Sequence, residues 1–116
     1  SKGECAMNIQ IFGKSKCFDT KKAERYFKER RIKYQYVDIL KYGMSAGEFK
    51  NVLAAVGFEA LFDSEAKGAE NIRYLAHRAD MEQKLFENQH LIRTPIVRNG
   101  KKATVGYCPE VWKEWE

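Results

Sequence analysis

Cys17 stands in IFGKSKCFDTKKAERYF, residues 11–27, between an apolar run and a segment of helical spacing, with Lys14, Lys16, Lys21 and Lys22 around it. The reacting form of a cysteine is the thiolate, and both the free amides at a helix N-terminus and nearby ammonium groups favour it over the thiol. Asp19 acts in the opposite direction. Taken alone, the stretch fits three readings: a nucleophile, one half of a redox pair, or a small residue accommodated at a turn. The other two cysteines, Cys5 and Cys108, are far away in sequence. An odd, dispersed set argues against a disulfide framework and against a zinc site with paired close ligands. Since His77 and His90 lie in helical segments with no ligand partner at suitable spacing, no metal is expected.

The elements around Cys17 follow from periodicity. MNIQIF carries Ile9, Ile11 and Phe12 and stops at Gly13, a short first strand. From Phe18 the apolar residues recur at Ala23, Tyr26, Phe27 and Ile32, which predicts one amphipathic helix of about three or four turns. KYQYVDIL, rich in aromatic and β-branched residues, predicts a second strand. Strand, helix and strand in this order predict a parallel crossover, with Cys17 at the strand-to-helix junction.

The middle of the chain reads as helical. Ser45 and Glu48 form a capping box, Met44 and Phe49 a hydrophobic staple, and Gly57 closes a helix whose apolar face holds Phe49, Val52, Leu53 and Val56. FEALFDSEAKGAE predicts a short helical turn and a loop, and further helices are expected from Ala69 to Ala76 and from Asp80 onward. The end changes character. TPIVRNGKKATVGY holds two β-rich runs about Asn99-Gly100, the signal of a type I′ hairpin. A closing helix then opens with Cys108 as N-cap and Pro109 at its first position, with Val111, Trp112 and Trp115 on one face.

At 116 residues the chain is expected to form one domain over residues 7–116, preceded by a tail of residues 1–6. With 44% hydrophobic and 32% charged residues, it has the composition of a globular protein and not of a disordered one. No apolar stretch approaches the roughly 20 residues of a membrane helix and the start lacks a signal core, so a cytoplasmic monomer away from membranes is expected. The net charge of +5 comes from 21 basic residues scattered among 16 acidic ones. That balance predicts a mixed solvated surface and no direct nucleic-acid partner. The run KERRIK fits a solvated helix end whose charge suits the dipole.

The order β-α-β, helices, β-β-α is that of an α/β thioredoxin-like fold with a helical insertion between its N-terminal βαβ and C-terminal ββα units. Three stretches make the likeness specific: IFGKSKCFDTKKA, YQYVDI and LIRTPIVRNGKKATVGYCPEVW. Together they resemble the ArsC/Spx family, which includes glutaredoxin-coupled arsenate reductases and Spx-type regulators, over about residues 8–116. The resemblance implies that Cys17 is the catalytic cysteine, that Pro95 faces it, and that the Thr94-Pro95 bond is cis. It departs from the family in two ways. Thr20 holds the place of the second cysteine in the C-x-x-C pair of redox-active Spx relatives, so no dithiol forms in this loop. Thr94, Tyr107 and Asp63 stand where family arginines would hold an oxyanion, and lysine does not reproduce a bidentate arginine.

The resemblance therefore implies an arsenate reductase-like thiol oxidoreductase of redox function, working through a single cysteine on a substrate other than arsenate. It implies no bound cofactor, with glutathione or a glutaredoxin as the resolving thiol. Candidate substrate-binding residues are Lys14, Lys16, Arg93, Thr94, Pro95 and Arg98, although alternate strand residues face opposite sides, so Arg93 and Arg98 do not automatically replace the missing clamp. The alternative implied by the same resemblance is a non-catalytic Spx-like transcriptional regulator that binds RNA polymerase.

Overall fold

The computed structural model describes residues 7–116. The tail expected for residues 1–6, with Cys5, lies outside them. Strand β1 (Ile9–Gly13) leads through α1 (Phe18–Glu29) to β2 (Tyr34–Asp38). Helices α2 (Ala46–Val56), α3 (Phe58–Leu61), α4 (Glu70–Arg73) and α5 (Arg78–Glu87) follow, with a 3₁₀ turn at Gln89–Leu91. Strands β3 (Ile96–Asn99) and β4 (Lys102–Val105) and helix α6 (Pro109–Trp115) complete the order. The four strands form one sheet in the order β2-β1-β3-β4, with β1 and β2 parallel and the remaining pairs antiparallel. The fold is the α/β thioredoxin-like arrangement with its helical insertion, as the element order predicts.

Alternation along the strands splits the core in two. Phe12 and Ile96 point to a cluster with Phe49, Val52, Phe58 and Leu85 of the helical block. Ile9, Ile11 and Val97 point the other way, to Ala23 and Phe27 of α1 and Trp112 of α6. Fully burying one side chain such as Phe12 contributes about 1.5–3 kcal/mol, so each face of β1 anchors a helical layer. Among the described residues no helix is long and apolar enough to cross a membrane.

Several boundaries differ from the periodicity. Helix α1 stops at Glu29, and Ile32 reaches its layer by a Schellman turn. The Ile32 amide donates to the Phe27 carbonyl (2.9 Å) and that of Arg31 to Lys28 (3.0 Å), with Arg31 at φ +58° where glycine is usual. The hydrophobic contact of that motif, not a further helical turn, puts Ile32 against the Phe27 cluster. The hairpin is shifted by one residue. Asn99 pairs with Lys102 and stays in β3, leaving Gly100-Lys101 as the loop, and of these only Gly100 has positive φ (+63°), the pattern of a II′ turn.

In the helical block the Ser45–Glu48 capping box and the Gly57 stop are present. The helix expected over Ala69–Ala76 is only the single turn of α4. The next begins at Arg78 with His77 as N-cap, which places Asp80 in its first turn, where its charge complements the dipole. In α6 Trp112 is fully buried and Trp115 packs beside it, but Val111 is exposed.

Candidate active site

Cys17 is the N-cap of α1 and is half-buried. What fixes the helix start is the packing behind it. Thr20, in the first turn, is 1% exposed and lies against Gly13, where a Cβ would come within 2.3 Å of Thr20 Cγ2. The β1–α1 loop thus needs both the missing side chain at Gly13 and the threonine. Thr20 Oγ1 also accepts the Lys14 amide (3.4 Å).

The second wall comes from the segment before β3. The Thr94-Pro95 bond is cis, as the resemblance implied, and Cys17 Sγ donates to the Thr94 carbonyl at 3.6 Å. The Gly106 amide donates to the Pro95 carbonyl (2.8 Å), tying the end of β4 to this loop. Residues 61–63 pair with 91–93: Asp63 N donates to Leu91 O (2.9 Å) and Arg93 N to Leu61 O (2.7 Å), about a bridge between Phe62 and Ile92. That pairing sets Asp63 and Arg93 beside the sulfur.

The result is an open depression of about 390 Å³, with Lys14, Cys17, Asp19, Asp63, Arg93 and Thr94 along its walls and Val105 and Gly106 at one side. Lys14 Nζ donates to the carbonyls of His90 (2.9 Å) and Ile92 (3.2 Å), so this lysine holds the loop to the segment before β3. Two cationic and two anionic side chains share the walls.

Partial burial pushes the Cys17 thiol up, but hydrogen bonds from the Thr20 and Thr94 hydroxyls and from the amides of Thr20 and Asp19 outweigh it. The net effect holds the thiol below its ordinary value. A half-open sulfur stabilised as thiolate can attack an electrophilic sulfur or a comparable centre and serve again when the adduct is released.

The structure brings Cys17, Lys14, Arg93, Thr94 and, buried behind it, Pro95 to one place. Lys16 is exposed on the loop and does not line the depression. Arg98 lies elsewhere. Two residues into β3, it points to the α2 side of the sheet, where Nε donates to Asn51 Oδ1 (2.9 Å), Nη1 to Gln10 Oε1, and Glu48 stands 3.9 Å away. Tyr107 is also apart, 43% exposed, edge-on to Trp112 and under the Lys22 ammonium. Asp63, which the resemblance set where a family arginine would hold an oxyanion, and Asp19, two residues after the cysteine, are both wall residues of the depression. Thr20 was legible only as a missing cysteine, although a hydroxyl in the first turn of a helix capped by cysteine is itself a signal for a sulfur-facing donor.

Comparison with known proteins places this geometry. The ArsC family model matches residues 12–115. Over 107 residues, 87% of this chain and 78% of the relative, the sequence is 28% identical to the global transcriptional regulator Spx 2 of Oceanobacillus iheyensis. Arsenate reductase from Vibrio cholerae superposes with a TM-score of 0.81 at 20% identity, over 96% of this chain and 99% of that one. An arsenate reductase (ArsC) related protein from Brucella melitensis does so with a TM-score of 0.65 at 22% identity, covering 94% of both chains. With its cysteine at the head of α1, its cis-proline loop and a family match running through α6, the chain belongs to the ArsC family of thioredoxin-like proteins.

Proposed function

We propose that the protein is a thiol oxidoreductase working through the single cysteine Cys17. The observation that carries the reading is the half-open Cys17 sulfur, facing Thr94 of the cis-proline loop at 3.6 Å and held below the usual thiol pKa against the effect of its burial. The Cys17 thiolate attacks one sulfur of a disulfide; the S–S bond breaks, a mixed disulfide forms on Cys17, and the other sulfur departs as a thiolate that takes a proton from solvent. A second thiol, glutathione or a glutaredoxin, attacks that mixed disulfide and restores the Cys17 thiolate. Thr20 in place of a second cysteine leaves the loop without a resolving thiol of its own, which favours an external one.

A substrate other than arsenate is favoured by the walls. Asp19 and Asp63 face the same depression as Lys14 and Arg93, and Lys14 is bound to two carbonyls. An oxyanion there meets two carboxylates, with threonine at the place before the proline. Incubation with glutathione disulfide followed by mass spectrometry is expected to place one glutathione on Cys17 ahead of Cys108, and added glutathione to remove it. Equal labelling of both cysteines overturns the reading.

A second reading, an RNA polymerase-binding regulator, is favoured by the 28% identity to a protein named as a global transcriptional regulator. Retention of purified bacterial RNA polymerase by the immobilised chain supports it, and failure to retain the polymerase removes its support.

A further inference from the structure

The chain's charge is not spread as its composition suggests. Between Lys14 and Lys33 stand nine basic and three acidic residues, a net of +6 against +5 for the whole chain, so everything else together is −1. The fold turns this segment into the β1–α1 loop, helix α1 and the turn that closes it. Ala23, Tyr26 and Phe27 face the core, and Lys21, Lys22, Arg25 and Lys28 are left exposed on the outer side.

Beside this stripe runs an open groove of about 430 Å³ between α1 and the start of α6, walled by Lys22, Arg25, Arg30 and Tyr107, with Glu29 as its one acidic wall residue. Lys22 stands over the Tyr107 ring at 5.5 Å and Arg30 over Tyr26 at 3.8 Å. A carboxylate already sits at its edge: Glu116 Oε2 accepts the Tyr26 hydroxyl (2.9 Å) and lies 3.5 Å from Arg30 Nε.

From this placement we infer that the outer face of α1, with the groove to Tyr107, is a docking surface for an acidic segment of a partner protein. Clustered arginine and lysine recognise acidic motifs through charge-assisted hydrogen bonds, and a one-signed field speeds the encounter. The Glu116 contact shows the form of the recognition, a carboxylate shared between a tyrosine hydroxyl and an arginine. A nucleic acid suits the face less well, because its phosphates form an unbroken line of charge while Glu24 and Glu29 interrupt this helix. Cys17 caps the same helix, so a partner docked here lies alongside the thiol.

The inference does not rest on the chemistry of Cys17, and its test uses a peptide without thiols. Fluorescence anisotropy with a labelled 12-residue peptide alternating Glu and Gly is expected to show binding at low salt. It should weaken about tenfold or more as salt rises from about 20 to about 300 mM, when the Debye length falls to a few ångströms. Lys22→Glu with Arg25→Glu should cost about tenfold or more. These side chains are exposed; should that pair fail to fold by circular dichroism, Lys21→Gln with Lys28→Gln gives the same readout with a smaller loss. Glu116→Gln, which removes the resident carboxylate, should tighten binding. Three results overturn the inference: an Asn/Gly peptide bound as well as the Glu/Gly one, affinity unchanged by the α1 variants, or a 12-nucleotide thymidine single strand bound more tightly than the acidic peptide.

Discussion

Two helices begin with a cysteine, and the two thiols are driven in opposite directions. Cys17 caps α1 and Cys108 caps α6; neither uses its side chain as a helix cap, both are half-buried, and each is followed two residues later by an acid, Asp19 or Glu110. Burial pushes both thiols up. At Cys17 four hydrogen bonds reverse that push. At Cys108 the Glu110 carboxylate adds to it, the Thr104 hydroxyl opposes it, Asp19 adds a little more, and the thiol ends above its ordinary value. The third helical residue marks the difference: buried Thr20 in α1, exposed Val111 in α6. A helix N-terminus alone therefore does not make a thiolate. Donors that converge on the sulfur do, and at Cys17 they come from both the first turn and the cis-proline loop.

The largest break in this comparison is removal of the sulfur itself. In a Cys5→Ser background, Cys17→Ser should abolish the fast phase of reaction with iodoacetamide at neutral pH, and Cys108→Ser should leave it intact. The alkylation midpoint of Cys17 should fall below the free-thiol value of about 8.5 and that of Cys108 above it; the reverse order would sink the comparison. Next is Gly13→Ala, whose Cβ meets Thr20 at 2.3 Å in a buried loop. It should cost about 1–3 kcal/mol in denaturant unfolding and slow Cys17 by displacing Thr20, without affecting Cys108. Thr20→Val keeps the shape and removes the hydroxyl. A hydrogen bond to a charged group is worth about 1.5–3 kcal/mol, so Cys17 should alkylate about tenfold more slowly at neutral pH. An unchanged rate would assign the lowered thiol to the backbone amides and Thr94 alone.

The sequence showed the frame of this site more clearly than its chemistry. Alternation at Ile9, Ile11 and Phe12 and the turn at Gly13 placed Cys17 at a strand-to-helix junction, because those are local patterns. Ile32 kept helical spacing for a reason periodicity does not register, a Schellman turn with arginine in the left-handed position. The hairpin slipped by one because a II′ turn needs only one positive φ, which Gly100 supplies, leaving Asn99 free to pair with Lys102. Arg98 follows the parity of its strand to α2 and away from Cys17. Asp63 comes to the depression through pairing of residues 61–63 with 91–93, a contact across about thirty residues that no local pattern encodes. The concentration of charge in residues 14–33 was countable, but only the fold shows that Lys21, Lys22, Arg25 and Lys28 share the exposed side of α1 while Lys14 turns to the Cys17 depression.

The smallest expected effect separates charge from burial at Cys108. Glu110→Gln removes the carboxylate and leaves the size of the side chain nearly unchanged. A carboxylate beside a thiol disfavours the thiolate, so its loss lowers the Cys108 pKa and raises the thiolate fraction at any pH below it. An interaction between solvent-exposed charges is worth about 0.2–1 kcal/mol, so alkylation of Cys108 at pH 8 should become faster by at most about fivefold. The same substitution removes a favourable dipole contact from α6, so unfolding should cost less by a similar amount. Cys17 should keep its rate, since Glu110 is not among the groups acting on it. If Cys108 does not respond, burial alone holds its thiol up, and the contrast between the two helix starts reduces to the donors around Cys17. If both cysteines respond alike, the field of α6 reaches across to α1, and the two sulfurs belong to one electrostatic site instead of two.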